Sequence, residues 1–351
     1  MNIAIDISPL KRDHYLQHRV RGTGFYIEHL RKSLTQNFPD NKYTFFTKGE
    51  KLSNIDIVHC TYFEPFFLTL PFIKKNKTVV TVHDLTPLVF PANFPRGKKG
   101  EVKWQIQKFN LKKMDAIITD SISSKKDIER YAGIESAKIN VVYLSAGEEF
   151  KPCKDESKKI AVRKKYNLPE KFILCVGDAT WNKNLPRLIE AVKNMKLKLV
   201  MVGQAISQKN FDKSNPWNKD LLKVQNLIKE NKEIIAIGFI PTEDLVTLYN
   251  TATVFAMPSL YEGFGLPVLE AMACGCPVVV SKEGSIPEIA GEEALYVDAY
   301  STESIARGLS ELFNKESLQR KYSQIGVTQA KKFSWKKTAE DTFSVYKKIV
   351  G

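Results

Sequence analysis

The sequence predicts an α/β protein made of two doubly wound, Rossmann-like domains. Apolar strand-like runs alternate with amphipathic helical segments in two successive sets of six. Residues 151–159, which are polar and contain a proline, separate the two sets and read as a linker. Because parallel strands need long crossovers, usually helical, this alternation favours mostly parallel sheets.

The predicted strands are short and evenly distributed along the chain. The first set comprises residues 3–7, 43–46, 55–59, 78–82, 116–119 and 140–143. The second set comprises residues 172–176, 198–202, 234–237, 254–257, 277–280 and 295–297. A final helical pattern covers residues 334–350.

Composition indicates a globular protein of two ordinary cores. The chain has 351 residues, 43% of them hydrophobic, and no apolar stretch long enough to span a bilayer. It begins directly with a strand-like run, which indicates a cytoplasmic location. The five cysteines form no Cys-x-x-Cys pair, so we expect reduced, mostly buried thiols and no metal site. His14 and His18 are four residues apart but read as loop histidines, because the segment lacks the glutamate of a zinc motif.

A net charge of +14 calls for an acidic partner, which could be nucleic acid, an anionic membrane surface or a phosphorylated substrate. The densest basic stretch is residues 96–113. There Val102, Ile106, Phe109 and Met114 follow helical spacing among lysines. We expect this apolar stripe to pack on the core, which leaves the lysine face in water or against anionic lipid.

The segment most indicative of chemistry is residues 261–280. Glu262 ends a strand, Gly263 and Gly265 interrupt a turn, and Glu270 lies in the first turns of a helix that begins near Leu266. A carboxylate can bind a vicinal diol, and exposed glycine amides can bind phosphate. Taken alone, either glutamate could be an acid that stabilises the helix dipole or an exposed acid in a loop. The whole segment, with an acid on each side of the glycines, favours a binding site for a ligand with both sugar and phosphate.

This segment resembles the E-x7-E signature of family 4 glycosyltransferases, which are retaining enzymes of the GT-B fold that use nucleotide sugars. The resemblance extends to the glycine turn after the first strand, to Val-His-Asp-Leu at 82–85, to Asn-Lys-Asn-Leu-Pro at 182–186 and to the tail at 333–340. It implies an acceptor-side domain at 1–150, a nucleotide-sugar-binding domain at 160–333 across a cleft, and a terminal helix at 335–351 that packs back on the first domain.

The resemblance also implies a substrate class. Residues 22–26 and 82–94 look most like those of mannosyltransferases of polysaccharide assembly. The implied donor is a nucleoside-diphosphate sugar, with GDP-mannose favoured. The implied acceptor is a saccharide or a lipid-linked saccharide of the cell envelope, and the implied location is the cytoplasm or the inner face of the membrane.

Two candidate sites lie in the first half. Gly22 and Gly24 precede or open a helix after the first strand, and the resemblance assigns them to the donor phosphates or the acceptor. A plain tight turn is the alternative, and the missing third glycine argues against NAD. His83 ends the fourth strand, and the resemblance implies that it hydrogen-bonds the transferred sugar, with Asp84 orienting it or a neighbouring loop. His59, at another strand end, reads as structural.

In the second half, residues 176–186 link a strand to a helix where a pyrophosphate would bind. Lys183 supplies a point charge there, and Gly177 begins the loop. Relatives usually carry Arg-Lys where this chain has Asn182 and Lys183. Three consequences remain open. Arg187, about one turn further on, compensates for the missing guanidinium, the donor is held less tightly, or the activity is reduced.

The implied chemistry is displacement at an anomeric carbon with retention of configuration, the acceptor attacking from the face of the leaving diphosphate. Lys183 and the amides of residues 263–265 would stabilise the leaving group, Glu262 and His83 would hold sugar hydroxyls, and Glu270 would hold the ribose. The donor-binding set also includes Phe264 and Leu266. The chain contains no Asp-x-Asp pair, so we expect no metal and no cofactor.

Two other classes of function remain open at this stage. One is a GT-B enzyme of another chemistry, such as a nucleotide-sugar epimerase or a glycan phosphorylase, although the latter needs a pyridoxal lysine and a longer chain. The other is a basic nucleic-acid-binding protein. That class predicts aromatic residues interleaved with basic ones or a known reading module, and we find neither.

Overall fold

The fold was established from a computed structural model, which describes residues 1–11, 20–292 and 294–351. The chain forms two compact units. One comprises Met1–Ser145 together with Phe333–Gly351, and the other comprises Ala146–Lys332.

Each unit contains one six-stranded parallel sheet. The first sheet is formed by β1 (Asn2–Asp6), β2 (Lys42–Phe46), β3 (Ile57–Cys60), β4 (Lys77–Thr81), β5 (Ala116–Thr119) and β6 (Ile139–Val141), in the order β2-β1-β3-β4-β5-β6. The second is formed by β7 (Ile173–Val176), β8 (Leu199–Val202), β9 (Ile234–Ile237), β10 (Val254–Met257), β11 (Val278–Ser281) and β12 (Leu295–Val297), in the order β12-β11-β10-β7-β8-β9.

Helices connect the strands. In chain order they are α1 (Val20–Asn37), α2 (Thr86–Val89), α3 (Gly97–Lys112), α4 (Ile122–Asp127), α5 (Glu156–Tyr166), α6 (Leu185–Met195), α7 (Gln204–Ser207), α8 (Lys219–Lys229), α9 (Thr242–Thr251), α10 (Leu266–Ala273), α11 (Ile286–Ala290), α12 (Thr302–Asn314), α13 (Glu316–Ala330) and α14 (Trp335–Val350). None of them, in the part of the chain that the structure describes, is both long enough and apolar enough to cross a bilayer.

The predicted fold class is confirmed. All twelve predicted strands are present, with ends that differ by two residues or fewer. In β5, β7, β8, β10 and β11 every residue is buried. Strands covered by helices on both faces read as unbroken apolar runs, which is why hydropathy located them so well.

The strand order reverses at one place in each sheet. In the first unit the chain moves outward from β1 to β2 and returns to the other side at β3; in the second, β8 and β9 lie on one side of β7 and β10 on the other. The loops that follow such a pair of strands diverge and leave a crevice at the carboxyl ends, where ligands bind in open α/β sheets. The fold therefore predicts where to look for a site.

The helix at the carboxyl end of the chain, α14, packs within the first unit. Ser334 caps its start, because the Ser334 side chain accepts a hydrogen bond from Lys337 N at 3.1 Å. Ser33 of α1 donates to Trp335 O at 2.9 Å, and the rings of Phe38 and Phe343 stack with centroids 4.0 Å apart.

A buried hydrogen-bond network ties α14 to the first sheet. His59 Nδ1 lies 2.6 Å from Tyr346 Oη, and its Nε2 lies 2.8 Å from Thr81 Oγ1. The Tyr26 hydroxyl of α1 reaches the same threonine oxygen at 2.9 Å. His59 is fully buried, so its role in these contacts is structural.

The expected packing of the α3 stripe is wrong for Val102 and Phe109, whereas Met114, just after the helix, is buried as expected. The helix buries Trp104, Gln107 and Leu111, whereas Val102 and Phe109 are 59% and 60% exposed. Gln107 faces inward because it hydrogen-bonds the preceding segment: its Nε2 donates to Thr69 Oγ1 at 2.6 Å. Apolar residues thus lie on two opposite faces of the helix.

The His59 network predicts a pH dependence of stability. Burial, with a smaller contribution from His83, lowers the pKa of His59 to about 3. Below the pKa of an unfolded histidine, ~6.5, protons therefore bind the unfolded chain preferentially. As the pH falls through this range, His59 lowers the free energy of unfolding by about 1.4 kcal/mol per pH unit. We expect urea unfolding between about pH 6 and pH 4.5 to show a steeper loss of stability for the wild type than for His59→Gln. Equal slopes would contradict a buried neutral histidine.

Candidate functional site

In the second unit, glycines bring the backbones of two adjacent strand ends together. Gly177 follows β7 with a left-handed φ of +147°, and Gly203 follows β8. A Cβ built on Gly203 would collide with Gly177 O. No side chain fits between these strand ends, so the carboxyl edge of the sheet presents bare backbone next to the crevice.

Two of the predicted catalytic residues meet beside this backbone. Lys183 ends the short turn that precedes α6, and Glu262 follows β10, the strand next to β7. Lys183 Nζ lies 2.8 Å from both Glu262 Oε1 and Oε2. Glu262 is buried, while Lys183 retains partial exposure. Because a buried charge needs a partner, removal of Lys183 would leave Glu262 without this cation.

The backbone of Glu262 is clamped by a loop that the sequence did not single out. Ser285 donates to Glu262 O from both its amide, at 3.2 Å, and its hydroxyl, at 3.0 Å. Gly284 has a φ of +60°, and a Cβ on it would lie 2.6 Å from the same oxygen. These residues follow β11, which lies next to β10, so the strand-end rule that pointed to Glu262 would also have pointed to them.

Asn182, at the position where the resemblance implies an arginine, is a structural link. It is buried, its Nδ2 donates to Tyr261 O at 3.0 Å, and its own carbonyl accepts from Leu260 N at 2.7 Å. Thr180 Oγ1 donates to Asn182 Oδ1 at 2.8 Å. The asparagine therefore joins the turn after β7 to the turn after β10.

Arg187 contacts a different set of groups from Lys183. Its Nη1 donates to Asn184 Oδ1 at 2.8 Å, and its guanidinium lies 5.9 Å from the centroid of the Tyr300 ring. It lines a cavity of about 580 Å³ along α6 and α8, together with Asp220. The idea that Arg187 compensates for the missing arginine stays a prediction.

The turn from Gly263 to Leu266 starts α10 in the predicted way. Gly265, the residue before the helix, has a φ of +96°, which an L side chain rarely adopts, and Phe264 is buried. Glu270 lies one turn into α10 and is also buried; its Oε2 accepts a hydrogen bond from the Tyr249 hydroxyl at 2.9 Å. Tyr249, which belongs to α9, was not foreseen.

In the first unit, His83 pairs with Asp120. His83 follows β4, Asp120 follows β5, and these strands are neighbours, so their carboxyl ends meet. His83 Nδ1 donates to Asp120 Oδ2 at 2.6 Å. Of the two roles predicted for Asp84, the structure shows the one toward its neighbouring segment, because Asp84 Oδ1 accepts from Thr86 N at 2.9 Å at the start of α2. The Tyr26 ring meets His83 edge-on, with centroids 4.9 Å apart.

This pairing changes the protonation of His83. Burial alone would lower the pKa of the imidazole, but the charge and hydrogen bond of Asp120 outweigh burial and raise that pKa above its ordinary value. Burial also raises the pKa of Asp120. Nδ1 is committed to Asp120, and Nε2, the other ring nitrogen, is buried.

Gly22 and Gly24 lie inside α1, as its third and fifth residues, so the tight-turn alternative is wrong. Gly22 is exposed, with nothing within 4 Å of a Cβ built on it, and Gly24 is buried. His14 and His18, which were read as loop histidines, lie outside the described residues.

The His83–Asp120 pair yields a direct prediction. We expect Asp120→Asn to lower the pKa of His83, because it removes the negative charge that favours imidazolium. NMR titration of the histidine ring protons measures this, with His59, which burial keeps neutral, as the internal control. An unchanged His83 titration would contradict the assigned pairing.

Comparison with known proteins finds a matching family model for each half of this chain. Residues 156–329 match the family model described as glycosyl transferases group 1, and residues 10–145 match the model described as glycosyltransferase family 4. The O-antigen chain mannosyltransferase B of Escherichia coli is 29% identical over 283 residues, which cover 78% of this chain and 71% of that protein.

Two further proteins add to this comparison. The serotype-specific mannosyltransferase WbdA of Escherichia coli is 28% identical over 269 residues, covering 75% of this chain but only 32% of WbdA, so the chain spans about a third of that relative. Anabaena Alr3699/HepE, solved in complex with UDP-glucose, superimposes with a TM-score of 0.73 at 14% identity over 99% of this chain and 100% of its own. The chain belongs to the family 4 glycosyltransferases and has their GT-B fold.

Proposed function

We propose that this protein is a retaining hexosyltransferase that moves a sugar, mannose by preference, from a nucleoside-diphosphate sugar to a saccharide or lipid-linked acceptor in cell-envelope polysaccharide synthesis. The observation that carries the proposal is the Lys183–Glu262 pair, held beside bare glycine backbone at the switch point of the second sheet. Membership of a glycosyltransferase family and the mannosyltransferase relatives support the reaction class and the sugar.

Lys183 and the start of α10 would hold the donor diphosphate. Lys183 is partly exposed, and α10 begins directly after Gly265, with a proline as its second residue. The positive end of a helix dipole favours phosphate oxygens. Glu262 fixes the position of the Lys183 ammonium before the donor arrives, so little ordering remains to be done during the reaction.

The two glutamates would hold hydroxyl groups. A carboxylate offers about four lone-pair positions, so Glu262 can retain Lys183 and still accept from a sugar hydroxyl. Tyr249 orients the carboxyl group of Glu270 from one side. Glu270 would then accept the ribose hydroxyls of the donor.

The reaction makes one glycosidic bond and breaks another. The acceptor oxygen bonds to the anomeric carbon, the bond from that carbon to the diphosphate oxygen breaks, and the acceptor proton passes to the departing phosphate. Attack from the face that the diphosphate leaves retains the configuration. His83, oriented by Asp120, would donate to or accept from a hydroxyl of the transferred sugar through Nε2.

We place the protein in the cytoplasm, peripheral to the inner face of the membrane. All five cysteines are unpaired and four of them are buried, as is typical of a reducing compartment. A lipid-linked acceptor would bring the protein to the bilayer surface.

The decisive experiment tests a panel of GDP-, UDP-, ADP- and CMP-sugars. Binding of each sugar nucleotide is measured by thermal shift, and transfer is measured by release of the nucleotide. With the preferred donor, we expect Lys183→Gln to lower kcat by about 10²- to 10³-fold, because it removes charge stabilisation of the leaving group. Lys164→Gln, which changes an exposed lysine in the last turn of α5, is the matched control and should transfer normally.

A charge-balanced variant separates catalysis from folding. Lys183→Gln leaves Glu262 buried without its cation, so part of its effect can be loss of stability. Lys183→Gln combined with Glu262→Gln removes both charges and should recover stability without recovering transfer. Full activity in the double variant would overturn the proposal. The proposal would also fail if none of the donors stabilised the wild type.

We also predict transfer without a divalent metal. Lys183 and the amides of the Gly263–Leu266 turn would provide the positive charge that a metal supplies elsewhere, and the chain has no Asp-x-Asp pair. Excess EDTA should leave the initial rate of transfer unchanged. A rate that vanishes on chelation and returns with Mn²⁺ would contradict this prediction.

A further inference from the structure

The cavity along α6 and α8 is separate from the Lys183–Glu262 pair, although one turn borders both. In that turn Lys183 reaches Glu262, whereas Trp181 and Asn184 line the cavity. Asn184 is held in place because its Nδ2 donates to two backbone carbonyl groups. Neither member of the ion pair lines the cavity, so the two are distinct places in the second unit.

This cavity, which we call the α6–α8 cavity, has the size of a binding site for a small molecule. Its volume of about 580 Å³ falls within the roughly 300–1,000 Å³ of such sites. Its lining extends along α6 from Pro186 to Lys193 and along α8 from Asp220 to Leu227, about 10 Å of helix in each case. The cavity is therefore elongated and follows the two helices.

Six charged side chains line the α6–α8 cavity, and their charges cancel. Three are basic and three are acidic: Arg187, Lys193 and Lys223, with Glu190, Asp220 and Glu230. Within the part of the chain that the structure describes, none of the six forms an ion pair. Opposite charges that share a cavity without pairing leave both hydrogen-bond donors and hydrogen-bond acceptors available to a ligand.

Asp220, in the first turn of α8, is partly withdrawn from water. Burial raises the pKa of Asp220, although the charges of Lys223, Lys219 and Arg187 oppose this rise. Among the described residues, none donates a hydrogen bond to its carboxylate. A carboxylate that has lost water without gaining a partner is stabilised by a ligand hydroxyl group that donates to it.

Two aromatic side chains lie near the start of α6. Trp181 lines the cavity, and the Tyr300 ring, which is 54% exposed, has its centroid 5.9 Å from the guanidinium carbon of Arg187. The face of an aromatic ring carries partial negative charge, so it attracts the C–H groups on one face of a sugar ring. This end of the cavity therefore suits a sugar ring.

We propose that the α6–α8 cavity is a second saccharide-binding site, which holds a neutral oligosaccharide away from the Lys183–Glu262 pair. Sugar hydroxyl groups both donate and accept hydrogen bonds, so one oligosaccharide can bond to the basic and the acidic side chains together. An anion would face three carboxylates, and a cation would face three basic groups. A lipid chain would remove water from all six charges and return no hydrogen bond.

The site adds a step to the proposed function, on which this consequence rests. An enzyme that extends a polysaccharide must release each product or keep it for the next transfer. An oligosaccharide held in the α6–α8 cavity keeps the growing chain on the protein while a new donor binds. The binding itself requires neither donor nor transfer.

The first test therefore measures binding alone. Neutral tetrasaccharides of mannose, glucose and galactose are titrated into the wild type by calorimetry, without nucleotide and with saturating nucleoside diphosphate. We expect at least one of them to bind in both conditions, because the cavity is separate from Lys183 and Glu262. The proposal is overturned if none binds, or if the nucleoside diphosphate abolishes binding. Failure of every nucleoside diphosphate to bind would count against the proposed function only.

A pair of substitutions locates the bound saccharide. Glu190→Ala with Lys223→Ala removes one exposed side chain from each helix without changing the net charge. Because a hydrogen bond to a charged group is worth about tenfold in affinity or more, this variant should bind the tetrasaccharide at least about tenfold more weakly. The matched control, Glu316→Ala with Lys321→Ala, changes two exposed residues of α13 and should bind like the wild type.

The same variants separate loss of the cavity from loss of the fold. Both should keep the circular-dichroism melt of the wild type and its affinity for the nucleoside diphosphate. Unchanged tetrasaccharide binding in the Glu190 and Lys223 variant would place the saccharide elsewhere on the protein and overturn the proposal. An equal loss in the control would do the same.

Trp181 reports occupancy of the cavity directly. Saturating tetrasaccharide should change the tryptophan fluorescence of the wild type, because a sugar ring replaces water beside the indole. Trp181→Phe keeps an aromatic face, so it should still bind the tetrasaccharide in calorimetry while losing most of this fluorescence change. A fluorescence change that persists in full in Trp181→Phe would contradict the assigned site.

Discussion

The Lys183–Glu262 ion pair is the constraint around which the candidate site in the second unit is built. A carboxylate buried at the end of β10 must be matched by a cation, and Lys183 reaches it only because the turn after β7 is short and joined to the neighbouring turn through Asn182. Gly284 and Ser285 then fix the Glu262 backbone from the other side. Each of these residues follows one of three adjacent parallel strands, so the sheet order itself brings them together.

The parallel order of the strands also explains which parts of the molecule could be predicted from the sequence. Strands buried on both faces leave continuous apolar runs, and candidate residues at strand ends are found by counting along the chain. A partner residue contributed by a neighbouring strand is distant in the sequence, so no local pattern reveals it. Asp120 directly follows β5, and His83 is the second residue after β4, but only the pairing of the two strands selects Asp120 over the adjacent Asp84.

The α3 helix shows a different limit. Helical spacing identifies a stripe of apolar residues but not the side of the helix that faces the core. Here the inward face is chosen by Trp104 and by Gln107, whose amide satisfies backbone and hydroxyl groups of the preceding segment. A polar residue with buried partners thus faces inward, while Val102 and Phe109 of the predicted stripe are left exposed.

The charge of the chain is distributed in a way that bears on donor binding. The Lys183–Glu262 pair is neutral as a unit, although the protein as a whole carries a net charge of +14. A diphosphate bound there, as we propose, would share the Lys183 ammonium with Glu262, whose two carboxylate oxygens hold it in place. Because each carboxylate oxygen has a second lone pair, Glu262 could at the same time accept from a sugar hydroxyl. Diphosphate and sugar would thus be recognised together by the two members of one ion pair.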